Sequence, residues 1–140
     1  MADIAITAAN LLGSVNARYS QQKAGVAITA GQLVYFDTAS GTVKLAKANG
    51  AAPINTVFGM AAENAGVGQQ ILIIVYDTAL AIGGTIAAGA LVWLSVLNAG
   101  GLNATPADDV AGGTMTRILI GIGLGSNTII FSPLVGGIVP

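Results

Sequence analysis

Residues 26–46 read VAITAGQLVYFDTASGTVKLA, and residues 85–104 read TIAAGALVWLSVLNAGGLNA. Each begins with a short apolar segment that meets a small-residue corner, Ala30-Gly31 and then Ala88-Gly89. An apolar run holding an aromatic follows, Leu33-Val34-Tyr35-Phe36 and then Leu91-Val92-Trp93-Leu94, and a glycine-bearing turn leads to a strand-like return. Phe58-Gly59-Met60-Ala61 and Ile120-Gly121-Ile122-Gly123 make a second matching pair. The copies lie about sixty residues apart, so two small β units, roughly 26–82 and 85–134, nearly fill the chain.

Outward from the first copy, the spacing predicts strands over 26–30 and 32–37. The second is apolar on both faces and is expected to be covered on both. Thr38-Ala39-Ser40-Gly41 reads as a hairpin loop with one left-handed residue near its end. Residues 42–46, 54–62, 70–76 and 79–82 read as further strands, with Asp77 and Thr78 ending the strongly β-forming QILIIVY run. In the second copy, residues 90–96, 117–124 and 127–132 do the same. Ile118, Ile120, Ile122 and Leu124 fall on one face at period two, and Gly121, Gly123 and Gly125 on the other, where a second backbone can approach. Thr105-Pro106-Ala107-Asp108 has the form of a helix start, with room for one or two turns.

The expected fold is therefore all-β, a small β-barrel or β-sandwich with an internally duplicated unit and at most one short helix. Residues 1–24 read as an extended N-terminal arm, or alternatively as a first edge strand plus loop, with Arg18, Gln21, Gln22 and Lys23 as a polar hinge, and residues 25–140 as a single β domain. The arm has apolar anchors but too few to pack alone, which suits contact with a neighbouring subunit.

Composition narrows the function. The 140 residues include no cysteine and no histidine, which removes disulfides, thiolate metal sites and the usual general base. Only 8% of residues are charged, and five Lys/Arg do not make a phosphate-neutralising face, so no nucleic-acid partner is expected. Apolar content of 54% exceeds what one small core hides and points to a subunit interface. Residues 78–107 and 118–140 carry no charge and are long enough to span a bilayer, but glycines, asparagines and Pro133 interrupt them and no basic cluster flanks them. No membrane partner or signal peptide is expected.

Catalytic and cofactor readings fare poorly. Gly121-Ile122-Gly123-Leu124-Gly125 lacks the following helix that a dinucleotide fingerprint needs. Asp37 and Asp77 read as turn caps, and Asp108 and Asp109 as helix-start charges. The serines have no histidine partner. Tyr35 and Trp93 are expected in the core rather than on a stacking platform. The chain is thus expected to be no enzyme, with no cofactor, no metal and no small-molecule substrate.

The segments AGVAITAGQLVYFDTASGTVKLA (24–46) and VFGMAAENAGVGQQILIIVYDTALAIGGTIAAGALVWL (57–94) resemble the phage capsid cement, or head decoration, proteins. Residues 28–37 match an ITAGxxVYxD opening and residues 57–61 a VxGxA strand, and residues 89–95 map onto the second-copy GxxVYLS with Trp93 at its tyrosine. The resemblance implies a structural virion protein on the outer surface of the capsid, assembled in the host cytoplasm. It would be a homotrimer, or a dimer, that bridges major capsid proteins. The expected contacts are Ile4, Ile6, Leu11, Leu12, Val15 and Tyr19, together with Val135, Ile138 and Val139. A phage tail or baseplate protein is an alternative, and a small membrane-active protein of the holin kind is one of another class.

Overall fold

The computed structural model describes Ile4, Ile6 and residues 11–47, 56–84, 86–94, 99–103, 119–125 and 127–133. Within them the fold is all-β, an antiparallel sheet of nine strands curled into a half-barrel. The strands are β1 (Arg18–Lys23), β2 (Leu33–Asp37), β3 (Thr42–Leu45), β4 (Gly59–Ala61), β5 (Gln70–Ala81), β6 (Leu91–Leu94), β7 (Leu102–Asn103), β8 (Leu119–Gly125) and β9 (Thr128–Phe131). The expected helix start at 105–108 lies outside the described residues, and the described ones contain no helix.

The pairing scheme occurs twice. In the first half β2 pairs with β3 and β4, and β4 with β5; in the second, β6 pairs with β7 and β8, and β8 with β9. Register repeats too: Val34 faces Gly59 as Val92 faces Gly121, and Leu33 faces Met60 as Leu91 faces Ile122. So do the corner bonds. Gly31 N donates to Ala61 O at 2.8 Å and Gly89 N to Gly123 O at 2.7 Å, while Ala61 N and Gly123 N return bonds to Gln32 O and Ala90 O.

The boundary between the two pairing sets falls inside β5. Its first part pairs with β1 and β4, and its second part, from Asp77, pairs with β9. The two strands expected over 70–76 and 79–82 are therefore one strand of twelve residues. Irregular register at both junctions, Arg18/Tyr19 against β1 and Asp77/Leu80 against β9, lets this strand bend from one half into the other.

Residues 18–23, expected as a hinge, form β1, bonded along β5 from Arg18↔Tyr76 to Lys23↔Gln70. RYSQQK has no apolar alternation because its side chains are mostly exposed or half-buried and its pairing is main-chain. The chain keeps to the same edge of β5 further upstream, where Leu12 and Ala81 exchange bonds of 2.9 and 3.0 Å.

Two apolar clusters hold the sheet. The larger lies between the halves and joins Leu33, Met60 and Ile74 to Val92, Leu94, Ile129 and Phe131. The smaller lies on the opposite face of the first half, where Ile28 and Ala65 cover Val34, Val43, Ala61 and Ile73. Strand β2 is thus covered on both faces. Burying each such side chain contributes about 1.5–3 kcal/mol. At the β2–β3 hairpin, Asp37 accepts from Ala39 N at 3.1 Å and Ser40 Oγ at 2.9 Å, and Gly41 closes the loop at φ 69°.

The isoleucine alternation of β8 breaks at a bulge. Val92 faces Gly121 but Trp93 faces Leu119, which leaves Ile120 as the extra residue. It turns inward and is fully buried, whereas Ile122 and Leu124 remain on the outer face. Gly121 and Gly123 do admit close backbone, the carbonyls of Ile130 and Ala87 respectively.

Candidate interaction surface

The expected N-terminal contacts divide into two groups. Ile4, Ile6 and Leu11 are half-buried and pack against the chain's own larger core. Ile4 N donates to Leu102 O at 2.8 Å, and Ile6 lies over Gly31. Ile4 and Ile6, with Thr29, Gln32, Gly100 and their neighbours, line an open cavity of about 300 Å³. Nothing in that lining titrates or is nucleophilic enough to suggest chemistry.

Leu12, Val15 and Tyr19 face outward, with exposures of 69%, 101% and 47%. Their backbone is nevertheless fixed. Leu12 is bonded to Ala81, Tyr19 pairs with Ile74, and the turn between them is held by a buried acid. Asp77 has no solvent exposure; its carboxylate accepts from Ser14 N at 2.7 Å, from Ser14 Oγ, and from Ala79 N at 3.1 Å. Asn16 Nδ2 adds a bond to Thr78 Oγ1 at 3.1 Å. The Tyr19 hydroxyl reaches back to Gly13, so its ring adjoins the 12–15 stretch. Arg18 lies 5.9 Å from the Tyr76 ring centroid, within cation–π range. An apolar patch on main-chain-bonded backbone can be buried by a partner without first being ordered, which lowers the entropic cost of docking.

Asp77, expected to end its strand, is an interior residue of β5. A single buried carboxylate is hard to assign from sequence, because its partners Ser14 and Ala79 lie 63 and two residues away. Asp37 does end its strand and cap the turn, and it also meets Lys44 Nζ at 2.9 Å. That ammonium, with the Ser40 hydroxyl, lowers the Asp37 pKa below its ordinary 3.8, and the carboxylate raises that of Lys44. Among the described residues, no three acidic or other metal-ligating side chains gather.

Tyr35 is buried in the larger core, as expected, whereas Trp93 is half-buried on the outward face of β6, opposite to the core residues Val92 and Leu94. Leu91, Ile122 and Leu124, at 40%, 40% and 45% exposure, share that outward side and make a second apolar area. Val135, Ile138 and Val139 lie outside the described residues. No described helix is long and apolar enough to cross a membrane. Comparison with protein-family models, with curated proteins and with solved structures gives no match.

Proposed function

We propose that this chain is a structural virion protein, a capsid cement or decoration subunit that binds the outer surface of a phage head and bridges neighbouring major capsid proteins. The observation that carries the reading is the outward display of Leu12, Val15 and Tyr19 from a stretch bonded into the sheet. Apolar side chains held in water on a fixed frame favour burial against a second surface. The resemblance of residues 24–95 to the cement family supplies the class of partner. Function of this kind works by binding alone, through a homotrimer or a dimer. Around a closed shell, individually weak contacts reinforce one another through effective concentration.

The test is co-sedimentation with purified heads that lack decoration. The intact chain binds, and the Val15→Asp/Tyr19→Ser double variant keeps its circular dichroism spectrum but binds at least about tenfold more weakly, a difference of about 1.4 kcal/mol. Failure of the intact chain to bind heads overturns the reading. Equal binding by the double variant overturns the assignment of the surface.

A further inference from the structure

Leu33, Met60 and Ile74 form one apolar row across β2, β4 and β5, and Leu91, Ile122 and Ile130 form the equivalent row across β6, β8 and β9. The hairpin turns that lead out of β2 and β6 are equivalent as well, and each holds a glycine in left-handed backbone, Gly41 at φ 69° and Gly100 at φ 80°. Within the chain, the turn of the second half seats on the first row at its Leu33 end. Gly100 is buried there; its N donates to Ala46 O at 2.7 Å, and its O accepts from Leu33 N at 2.8 Å. The row itself is fully buried in the core that the two halves share.

The complementary pair of surfaces is left over. In the second half the row lies open, with Leu91 and Ile122 at 40% exposure. The corner beside it at Gly89 is open too, whereas its counterpart Gly31 is buried under Ile6. In the first half it is the turn that lies open: Thr38, Ala39, Ser40 and Gly41 are all exposed, and a Cβ at Gly41 would meet nothing.

We propose that the 38–41 turn of a second copy of this chain seats on the row of Leu91, Ile122 and Ile130, repeating between copies the junction that joins the halves within one. The two turns share the chemistry this needs. Thr38-Ala39-Ser40-Gly41, like Ala99-Gly100-Gly101, is small and uncharged, so its backbone can come close to an apolar face. The turn is also fixed in advance by the bonds that Ala39 N and Ser40 Oγ give to Asp37, whose charge is met by Lys44, so docking orders little new chain. The row gains by leaving water. A contact between unlike surfaces leaves one row and one turn unfilled in any pair, so it closes as a ring or runs on as a filament rather than stopping at two. Of the homotrimer and the dimer proposed above, it fits the trimer. Copies of this chain suffice for it, and Leu12, Val15 and Tyr19 take no part.

Sedimentation of the full chain without heads tests this, so its failure is distinct from failure to bind a capsid. The intact chain gains mass as its concentration rises. Ile122→Asp, which spoils the row, and Ala39→Arg, which spoils the turn, each keep the circular dichroism spectrum and associate at least about tenfold more weakly. Mixed in equal amounts, the two variants form a pair that grows no further, because the mixture retains one sound row and one sound turn. An intact chain that stays monomeric overturns the proposal, as does an Ala39→Arg chain that assembles like the intact one, or a mixture that stays monomeric. Independently, the chain has no cysteine, so single thiols report the contact. Ser40→Cys and Leu91→Cys chains oxidised together are expected to give the mixed disulfide at least about fivefold over either like pair. A predominance of Leu91→Cys joined to itself assigns the row to a two-fold contact and overturns the proposal, and so does the absence of any disulfide.

Discussion

Gly59 and Gly121 occupy the same register position in the two halves, and at each a Cβ would run into the carbonyl oxygen of an isoleucine, Ile74 or Ile130. The obstacle is backbone in both cases, so no side-chain rotation relieves it. Gly59→Ala and Gly121→Ala are each expected to lower stability by about 3 kcal/mol. Gly66→Ala, which meets only the Gln69 side chain at ordinary contact distance, changes it by less than about 0.5 kcal/mol. Urea unfolding of the three variants checks this.

The corner glycines offer a subtler comparison. Gly31 and Gly89 both hold left-handed backbone, at φ 92° and 81°, but a Cβ at Gly31 would lie 2.7 Å from Ile6 Cγ2, and one at Gly89 meets open space. Gly89→Ala should cost about 1–2 kcal/mol from backbone strain alone. Gly31→Ala should cost about 1 kcal/mol more, and the excess should vanish when Ile6 is also alanine, as a double-mutant cycle would reveal.

Ser14 and Asp77 fasten the N-terminal stretch at the centre of β5. Asp77→Ala orphans the Ser14 donors, and Ser14→Ala leaves a buried carboxylate with fewer partners. Each is expected to cost about 1–3 kcal/mol, and the double variant less than the sum. Amide exchange at Leu12 and Ala81, which depends on the pairing beside this clamp, should speed up before global unfolding.

Acid should loosen the first hairpin. The Asp37 carboxyl titrates below its ordinary 3.8 because of Lys44 and Ser40, so folding favours its charged form. Its stabilising contribution is present above the unfolded-state pKa and is lost as pH falls through the lower folded-state value. Asp37→Asn should therefore lower the melting temperature at neutral pH and flatten its decline between about pH 4 and pH 2. The raised Lys44 pKa works in the opposite window: its contribution is present below the ordinary 10.5 and disappears as pH rises through the folded value. Added salt should shrink both effects. Thermal melts from pH 2 to pH 11 at two salt concentrations test them.

The architecture was legible where local chemistry decides it. The 38–41 hairpin, the doubly covered β2 strand and the close-approach glycines of β8 all follow from residue type and spacing. Strand β1 was not legible, because RYSQQK is held by main-chain bonds to a strand some fifty residues away and leaves no side-chain signature. The continuity of β5 was hidden by Asp77, whose charge reads as a stop until its distant partner Ser14 is known. The bulge that inverts Ile120 is likewise a tertiary event, and so is the choice of the Val92–Leu94 face of β6 for the core, which leaves Trp93 on the other side. Of the candidate surface, the apolar residues of the N-terminal stretch were visible, but not that Ile4, Ile6 and Leu11 turn inward while Leu12, Val15 and Tyr19 turn out.

The shared strand β5 has a mechanical consequence. Twin modules joined by a linker can be pulled apart or swung about the joint. Here, among the described residues, a single rod of backbone runs through both, gripped by different neighbours on either side of Asp77. Tension along this strand is shared by the amide ladders that flank it on either side of Asp77, so a load on one module is carried into the pairing of the other.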